Sequence, residues 1–208
     1  MKFEYARISG SLFQQEYSLS RAQEYVEMAV YSIIAFSLPF LLGHEQLLVG
    51  SVVNCALVLA ALNLKGARLL PVIILPSIGA YLAGLLFGVA SPALLYTIPF
   101  IWMGNALLVL CIKYLALAGK KTNSMAVLGI GATAKLGIGA TAKNMTALGI
   151  GATAKAAFLF LSAFALLTFG AVPAAFLAAM GIFQLATALL GGSAALALQM
   201  GKKRFATA

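Results

Sequence analysis

The sequence predicts an all-α, polytopic membrane protein with six transmembrane helices. Of its 208 residues, 62% are apolar and only 9% are charged, and the mean hydropathy is +1.01. A soluble domain carries about 25% charged residues, so this composition excludes a soluble enzyme and a disordered chain. Because one span needs about 20 residues, the length allows roughly six or seven spans.

Six apolar runs, separated by short polar breaks and turns, give the individual spans. They are predicted at 28–42, 46–64, 69–89, 93–118, 147–169 and 172–199. The first span has an alternative start one turn before Met28. The fifth span has an alternative start at Ala156, which depends on whether Lys155 lies inside the span or at the membrane interface. Residues 28–199 are expected to form one transmembrane domain, and 200–208 a basic cytoplasmic tail.

The first 27 residues are predicted to lie outside the spans. They include four glutamates and no apolar run, so they do not have the pattern of a signal peptide. Tyr17, Arg21, Glu24, Tyr25 and Met28 recur at helical spacing. This spacing predicts a short amphipathic helix that lies on the cytoplasmic membrane surface ahead of the first span.

The basic residues predict the orientation of the chain. With the N-terminus inside, the cytoplasmic segments hold 12 of the 14 Lys and Arg residues, and the external turns near 43–45, 90–92 and 170–171 hold none. Under the positive-inside rule, both termini are then cytoplasmic. We interpret the net charge of +9 as membrane topology rather than as a nucleic-acid surface. The expected location is the inner (plasma) membrane, in contact with lipid.

An internal repeat interrupts the pattern between the fourth and fifth spans. The octapeptide LGIGATAK occurs at 128–135, 136–143 and 148–155. It does not match the phosphate-loop pattern GxxxxGK[ST], and its period is too short for a solenoid of 20–50-residue repeats. We interpret it as a duplication that lengthened a cytoplasmic loop over 119–146. The sequence leaves open which copy enters the membrane.

Polar side chains inside the spans are the candidate functional residues, because buried polar groups in lipid need partners. Asn54, Trp102, Asn105 and Gln184 are expected roughly 12–18 Å beneath the external face. Lys155 would lie deeper, and no carboxylate in mid-span could pair with it, so an anionic ligand is one candidate partner. These five residues are predicted to form a substrate site. Hydrogen bonding between helices is the alternative role.

The chain offers no catalytic or metal-binding set of residues. It has one histidine, two cysteines and no aspartate, so a hydrolytic triad, a zinc site and an iron–sulfur site lack their ligands. A proton pump would carry carboxylates in mid-span. We therefore expect no enzymatic activity, no metal and no cofactor.

Four segments resemble the substrate-binding S components of energy-coupling-factor uptake transporters. They are SVVNCALVLAAL at 51–62, PSIGAYLAGLLFG at 76–88, PFIWMGN at 99–105 and GIFQLATALLGG at 181–192. The resemblance implies capture of a micronutrient at the outer side, beside a transmembrane coupling subunit and paired cytoplasmic ATPases. It also implies a ligand site towards the outside, which would fall here on Trp102, Asn105 and Gln184.

A second interpretation stays open. The chain could be a non-catalytic anchor or assembly subunit of a larger membrane complex, for example of a redox or hydrogenase type, with no ligand of its own. The two interpretations differ in whether the polar mid-span residues surround a cavity of about a few hundred Å³, or each bond to a neighbouring helix.

Overall fold

The structure is a computed structural model that describes most of the chain. The described residues are 10, 12–16, 19–43, 45–85, 88–117 and 138–206, without the side chains of 89, 138–141 and 203–206. Within these ranges the chain is largely helical and contains no β-strand. The all-α prediction is therefore confirmed for the described part of the chain.

Seven α-helices follow one another in these ranges. They are α1 (Arg21–Leu42), α2 (Gln46–Asn63), α3 (Leu69–Ala83), α4 (Leu94–Cys111), α5 (Ile138–Thr168), α6 (Ala175–Met180) and α7 (Ile182–Ala206). Short 3₁₀ turns, Gly66–Arg68 and Gly88–Ala93, lead into α3 and α4. A π-helical segment, Ile112–Leu117, extends α4.

Six helical stretches of the described chain are long and apolar enough to cross a membrane. They are Arg21–Leu42, Gln46–Asn63, Gly66–Ala83, Ala90–Leu117, Ala142–Thr168 and Ala175–Lys202. The outer surface carries exposed apolar side chains such as Ile33, Leu41 and Leu161, as a lipid-facing surface does. The described part of the chain thus has the helices of a multi-pass membrane protein, and their number agrees with the six predicted spans.

The first helix begins earlier than the sequence predicts. Ser20 caps α1 through a capping box with Gln23, and the helix then runs unbroken from Arg21. Residues 21–27 are its first turns, so the predicted amphipathic segment and the first span form one continuous helix. The spacing of polar and apolar residues did not predict this earlier start, because the polar residue Glu24 is buried against other polar groups rather than exposed. Tyr17 lies outside the described residues.

The start of α5 decides how the third repeat copy is used. The helix is continuous from Ile138, so the copy at 148–155 lies inside the fifth span, which begins near Ala142 rather than at Ala156. Residues 138–146 are helical and shorten the predicted loop. The first copy and the beginning of the second lie outside the described residues. Gly151 of the third copy packs closely on α4, where an added Cβ would lie 3.0 Å from Cβ of Cys111.

The sixth span is interrupted, which the sequence did not predict. Gly181 separates α6 from α7 and adopts a non-helical backbone with φ −98° and ψ −96°. An added Cβ at Gly181 would lie 2.8 Å from the carbonyl oxygen of Leu177. The interruption starts α7 in the interior of the span and places Gln184 in its first turn.

Helix α2 lies at the centre of the bundle. It packs against α1, α3, α4 and α7, and its most extensive contact is with α7. An added Cβ at Gly191 of α7 would lie 1.9 Å from the carbonyl oxygen of Ser51, and one at Gly50 would lie 2.8 Å from Cγ2 of Thr187. Small residues thus bring the two backbones together, as is common between membrane helices.

One end of the bundle carries a dense polar network. Glu24 of α1 forms ion pairs with Lys65, at 2.9 Å, and with Arg68, both near the turn between α2 and α3. The amide of Gln15 donates to Glu24 Oε1 at 2.9 Å and to the carbonyl oxygen of Asn63 at 2.7 Å. The network therefore ties the segment before α1 to the C-terminal end of α2.

The same network includes the C-terminal part of α7. Gln199 Nε2 donates to Asn63 Oδ1 at 2.8 Å and to Glu16 Oε2 at 3.0 Å. Lys202 pairs with Glu27 at 3.3 Å. The beginning of α1, the end of α2 and the end of α7 therefore all lie at this end of the bundle, which we call the network end.

The glycine contact between α2 and α7 leads to a stability prediction. Gly191→Ala is expected to lower the unfolding free energy by at least about 2 kcal/mol, because the new methyl group would push two backbones apart. Gly149→Ala is the matched control, since nothing lies within 4 Å of its added Cβ and alanine favours a helix. Thermal loss of helical circular dichroism in mild detergent measures both. Equal effects of the two substitutions would contradict the close approach.

The network leads to a second prediction. Glu24→Gln is expected to lower the unfolding free energy by about 2 kcal/mol, because Glu24 is 1% exposed and two cations would lose their counter-charge. Glu27→Gln on the same helix is the control and should change it by less than about 1 kcal/mol. Its ion-pair partner Lys202 is largely exposed, and the hydroxyl of Tyr31, which donates to Glu27 at 2.7 Å, can still donate to the new amide oxygen. The measurement is the heat-induced reaction of Cys55 and Cys111 with a thiol-reactive dye. A larger loss of stability for Glu27→Gln than for Glu24→Gln would contradict the role given to the Glu24 ion pairs.

Candidate functional site

A cavity of about 70 Å³ lies in the half of the bundle away from the network end. Its wall is built from the N-terminal half of α2, the middle of α3, α4 and α5, and the residues around the α6–α7 break. The polar side chains in the wall include those of Asn54, Ser77, Asn105, Lys155, Gln184 and Thr187. Four of the five predicted site residues are thus brought together around one space.

Three of these residues lie near the middle of their spans. Lys155 is 13 residues from Ala142 and 13 from Thr168, which is about 20 Å of helix on either side. Asn54 and Asn105 lie at comparable depth in the second and fourth spans. The sequence left open whether Lys155 lies inside its span, and the structure places it there.

Lys155 is held by one side chain. Its Nζ donates to Oδ1 of Asn54 at 2.6 Å, and the two residues are 2% and 1% exposed. Among the described residues this is the only hydrogen-bond partner of Lys155, and it forms no ion pair there. An ammonium group has three N–H donors. Two of them are therefore available to a ligand or to water.

The orientation of Asn54 is fixed by α2 and α7. Its Nδ2 donates to the carbonyl oxygen of Gly50 at 2.9 Å and to Oγ1 of Thr187 at 3.1 Å. Both amide hydrogens are then used, which turns Oδ1 towards Lys155. The close approach of Gly50 to Thr187 makes this bond between helices short enough to form. The packing of α2 on α7 therefore positions the lysine on α5.

Asn105 presents an unused acceptor. Its Nδ2 donates to the carbonyl oxygen of Ile73 at 3.0 Å, while its Oδ1 is buried and has no hydrogen-bond partner in the described part of the chain. The residue is 1% exposed and lies in the cavity wall. A buried acceptor without a partner is unfavourable by about 1–3 kcal/mol. A donor from a bound molecule would remove this cost.

Trp102 is the predicted site residue that does not line the cavity. Its indole N–H donates to Oγ of Ser77 at 2.8 Å and to the carbonyl oxygen of Ile74 at 3.2 Å. Pro76 interrupts the regular hydrogen bonding of α3 in this turn, and carbonyl groups there accept bonds from α4. The indole therefore joins α4 to α3, which the sequence could not distinguish from ligand contact.

Lys113 shows how the other in-span cation is stabilised. Its Nζ donates to the carbonyl oxygens of Gln14 and Leu64 at the network end. It is fully buried there, next to polar backbone. Lys155 has no such backbone partners among the described residues, so the two buried lysines have different surroundings.

The cavity combines one cation with apolar walls. Its apolar lining residues include Val49, Val53, Ile101 and Phe183, and none of the lining residues is a carboxylate. The effective dielectric constant of such a site is low, which strengthens the attraction between the ammonium group and an anion. The arrangement can thus bind an anionic or acceptor-bearing molecule.

Thr187 is a site residue that the sequence analysis missed. Its hydroxyl accepts the bond from Asn54 and donates to the carbonyl oxygen of Gln184 at 3.3 Å. A threonine in a helix usually bonds to its own backbone, so its type gave no signal. Its spacing from Gln184, three residues on the same helical face, could have indicated a shared role.

The volume limits what can be bound. Ligand pockets usually occupy 300–1,000 Å³, so a space of about 70 Å³ is small. It holds a handful of water molecules, at roughly 10–15 Å³ each, or a molecule of a few non-hydrogen atoms. The cavity lined by the described residues is therefore smaller than the few hundred cubic ångströms that separate the two interpretations, and its size does not favour capture over an anchor role.

No family model matches the sequence, and comparisons with curated proteins and with solved structures gave no match. The geometry of the cavity is therefore the basis on which a function is proposed.

The bond between Asn54 and Lys155 leads to a third prediction. Asn54→Leu is expected to destabilise the protein, because the buried ammonium group loses its acceptor. In a Lys155→Met background the same change should be milder, with a coupling of about 2 kcal/mol. Thermal unfolding of the two single variants and the double variant measures this. Ser162→Ala, whose hydroxyl bonds only within α5, is the control. Additive effects would contradict the coupling.

Proposed function

We propose that this chain is the solute-capture subunit of a membrane uptake system. It binds a small solute in the cavity and depends on partner proteins for energy. The observation that carries the proposal is the pair Lys155 and Asn105, which line one cavity at mid-span with hydrogen-bonding groups left unused by the described residues.

Unused polar groups at this depth favour a binding role over a packing role. Polar residues that only join helices use their donors and acceptors on one another, as Trp102 and Ser77 do. A charged side chain at the centre of a span is costly, and such residues commonly mark ligand or ion pathways.

The distribution of charge supports capture from outside. The network end carries Lys65, Arg68 and Lys202, and the cavity lies in the other half of the bundle. Under the positive-inside rule the network end faces the cytoplasm, together with the beginning of α1 and the end of α7. The cavity then lies towards the outer face of the inner (plasma) membrane.

The resemblance to S components supplies the partners in this proposal. The sequence contains no GxxxxGK[ST] motif that could hold a nucleotide. Paired cytoplasmic ATPases and a transmembrane coupling subunit would provide the energy. The small cavity restricts the micronutrient to one of a few non-hydrogen atoms, or to a small group of a larger molecule.

Purification of the tagged protein from its native cell in mild detergent tests this function. We expect an ATPase pair and a membrane coupling subunit to co-purify and to be identified by mass spectrometry. A polytopic protein of unrelated function with the same tag is the control for non-specific recovery. Specific recovery of redox subunits would support the anchor interpretation instead. Recovery of no partner would also refute the proposal.

A further inference from the structure

We propose that the cavity binds a small monovalent oxyanion that also carries a hydrogen-bond donor, a class to which short 2-hydroxycarboxylates belong. The inference rests on the proposed function for the route by which the solute is captured. It goes further by naming the chemical class of the solute from the groups in the cavity wall.

The negative charge follows from Lys155. The ammonium group is buried at mid-span, its described partner is the neutral amide of Asn54, and no carboxylate lines the cavity. A buried cation without a counter-ion is strongly disfavoured, and a single added negative charge would balance it. A second negative charge would be unpaired. The charge balance therefore selects a monovalent anion.

The donor follows from Asn105. Its Nδ2 is held by the carbonyl oxygen of Ile73, and its Oδ1 is a buried acceptor without a partner among the described residues. Oxygen of an amide can only accept a hydrogen bond. A ligand with a hydroxyl or N–H group would satisfy it, whereas acetate or chloride would leave it without a partner. The site should therefore discriminate between anions of similar size.

The size of the cavity agrees with this class. A space of about 70 Å³ suits a molecule such as glycolate, which has few non-hydrogen atoms. The break at Gly181 lies beside this space, and Phe183 and Gln184 of α7 form part of its wall.

Three probes of nearly equal size separate the contributions. Glycolate carries the charge and a hydroxyl donor, acetate carries the charge without the donor, and glycolamide carries the hydroxyl without the charge. Binding to the purified protein in detergent, in a chloride-free HEPES buffer, is measured by calorimetry at probe concentrations up to about 10 mM, because so small a ligand binds no tighter than micromolar.

We expect the wild-type protein to bind glycolate roughly ten- to a hundredfold more tightly than glycolamide, and several-fold more tightly than acetate. Lys155→Met should remove the difference between glycolate and glycolamide. Asn105→Leu should remove the difference in affinity between glycolate and acetate. It should keep the difference between glycolate and glycolamide. Ser162→Ala, which lies on α5 with a hydroxyl bonded to Phe158, should behave as the wild type.

The affinities of the wild-type protein for the three probes test the proposal even if a variant does not fold. Equal binding of glycolate and glycolamide, equal binding of glycolate and acetate, or no binding of any probe would each overturn the proposal. The co-purification of partners is independent of these results. Recovery of the ATPase pair without glycolate binding would leave the uptake function and refute the oxyanion. Glycolate binding without recovery of such partners would support the oxyanion and refute the uptake function.

Discussion

The close contact between α2 and α7 is the constraint on which the rest of the structure depends. Gly191 leaves room for the backbone of Ser51, and Gly50 leaves room for Thr187. This contact brings the Thr187 hydroxyl to the amide of Asn54, whose oxygen then faces α5. Without a driving force from water, helices in lipid associate through such fits and hydrogen bonds. The same fit that builds the bundle therefore also aligns Lys155.

The two halves of the bundle differ in how their cations are paired. At the network end, Glu24 forms ion pairs with cations, and Lys113 bonds to backbone carbonyl groups. In the other half, Lys155 is bonded to a neutral amide and lines a cavity. Buried acceptors without a partner among the described residues occur in both halves, at Gln199 as well as at Asn105. The halves therefore differ in charge pairing and not in whether every polar group is bonded.

Much of the fold could be predicted because the membrane imposes it. Apolar runs such as 46–64 must be helical in lipid, since every backbone group has to be bonded internally. Boundaries were less secure where polar residues are buried against protein. Glu24 and Lys155 appear in the sequence as groups for water or the interface, yet both lie inside continuous helices because other parts of the chain surround them.

The sequence by itself determined the class of protein, the number of spans and a set of polar mid-span residues that includes Asn54, Asn105 and Lys155. These follow from composition and from position along the helices. Only the tertiary structure decided that these three share one small cavity, that Trp102 bonds to α3 instead, and which repeat copy supplies the lysine. Depth can be counted along one helix, but the face that a residue presents to another helix depends on how the backbones cross.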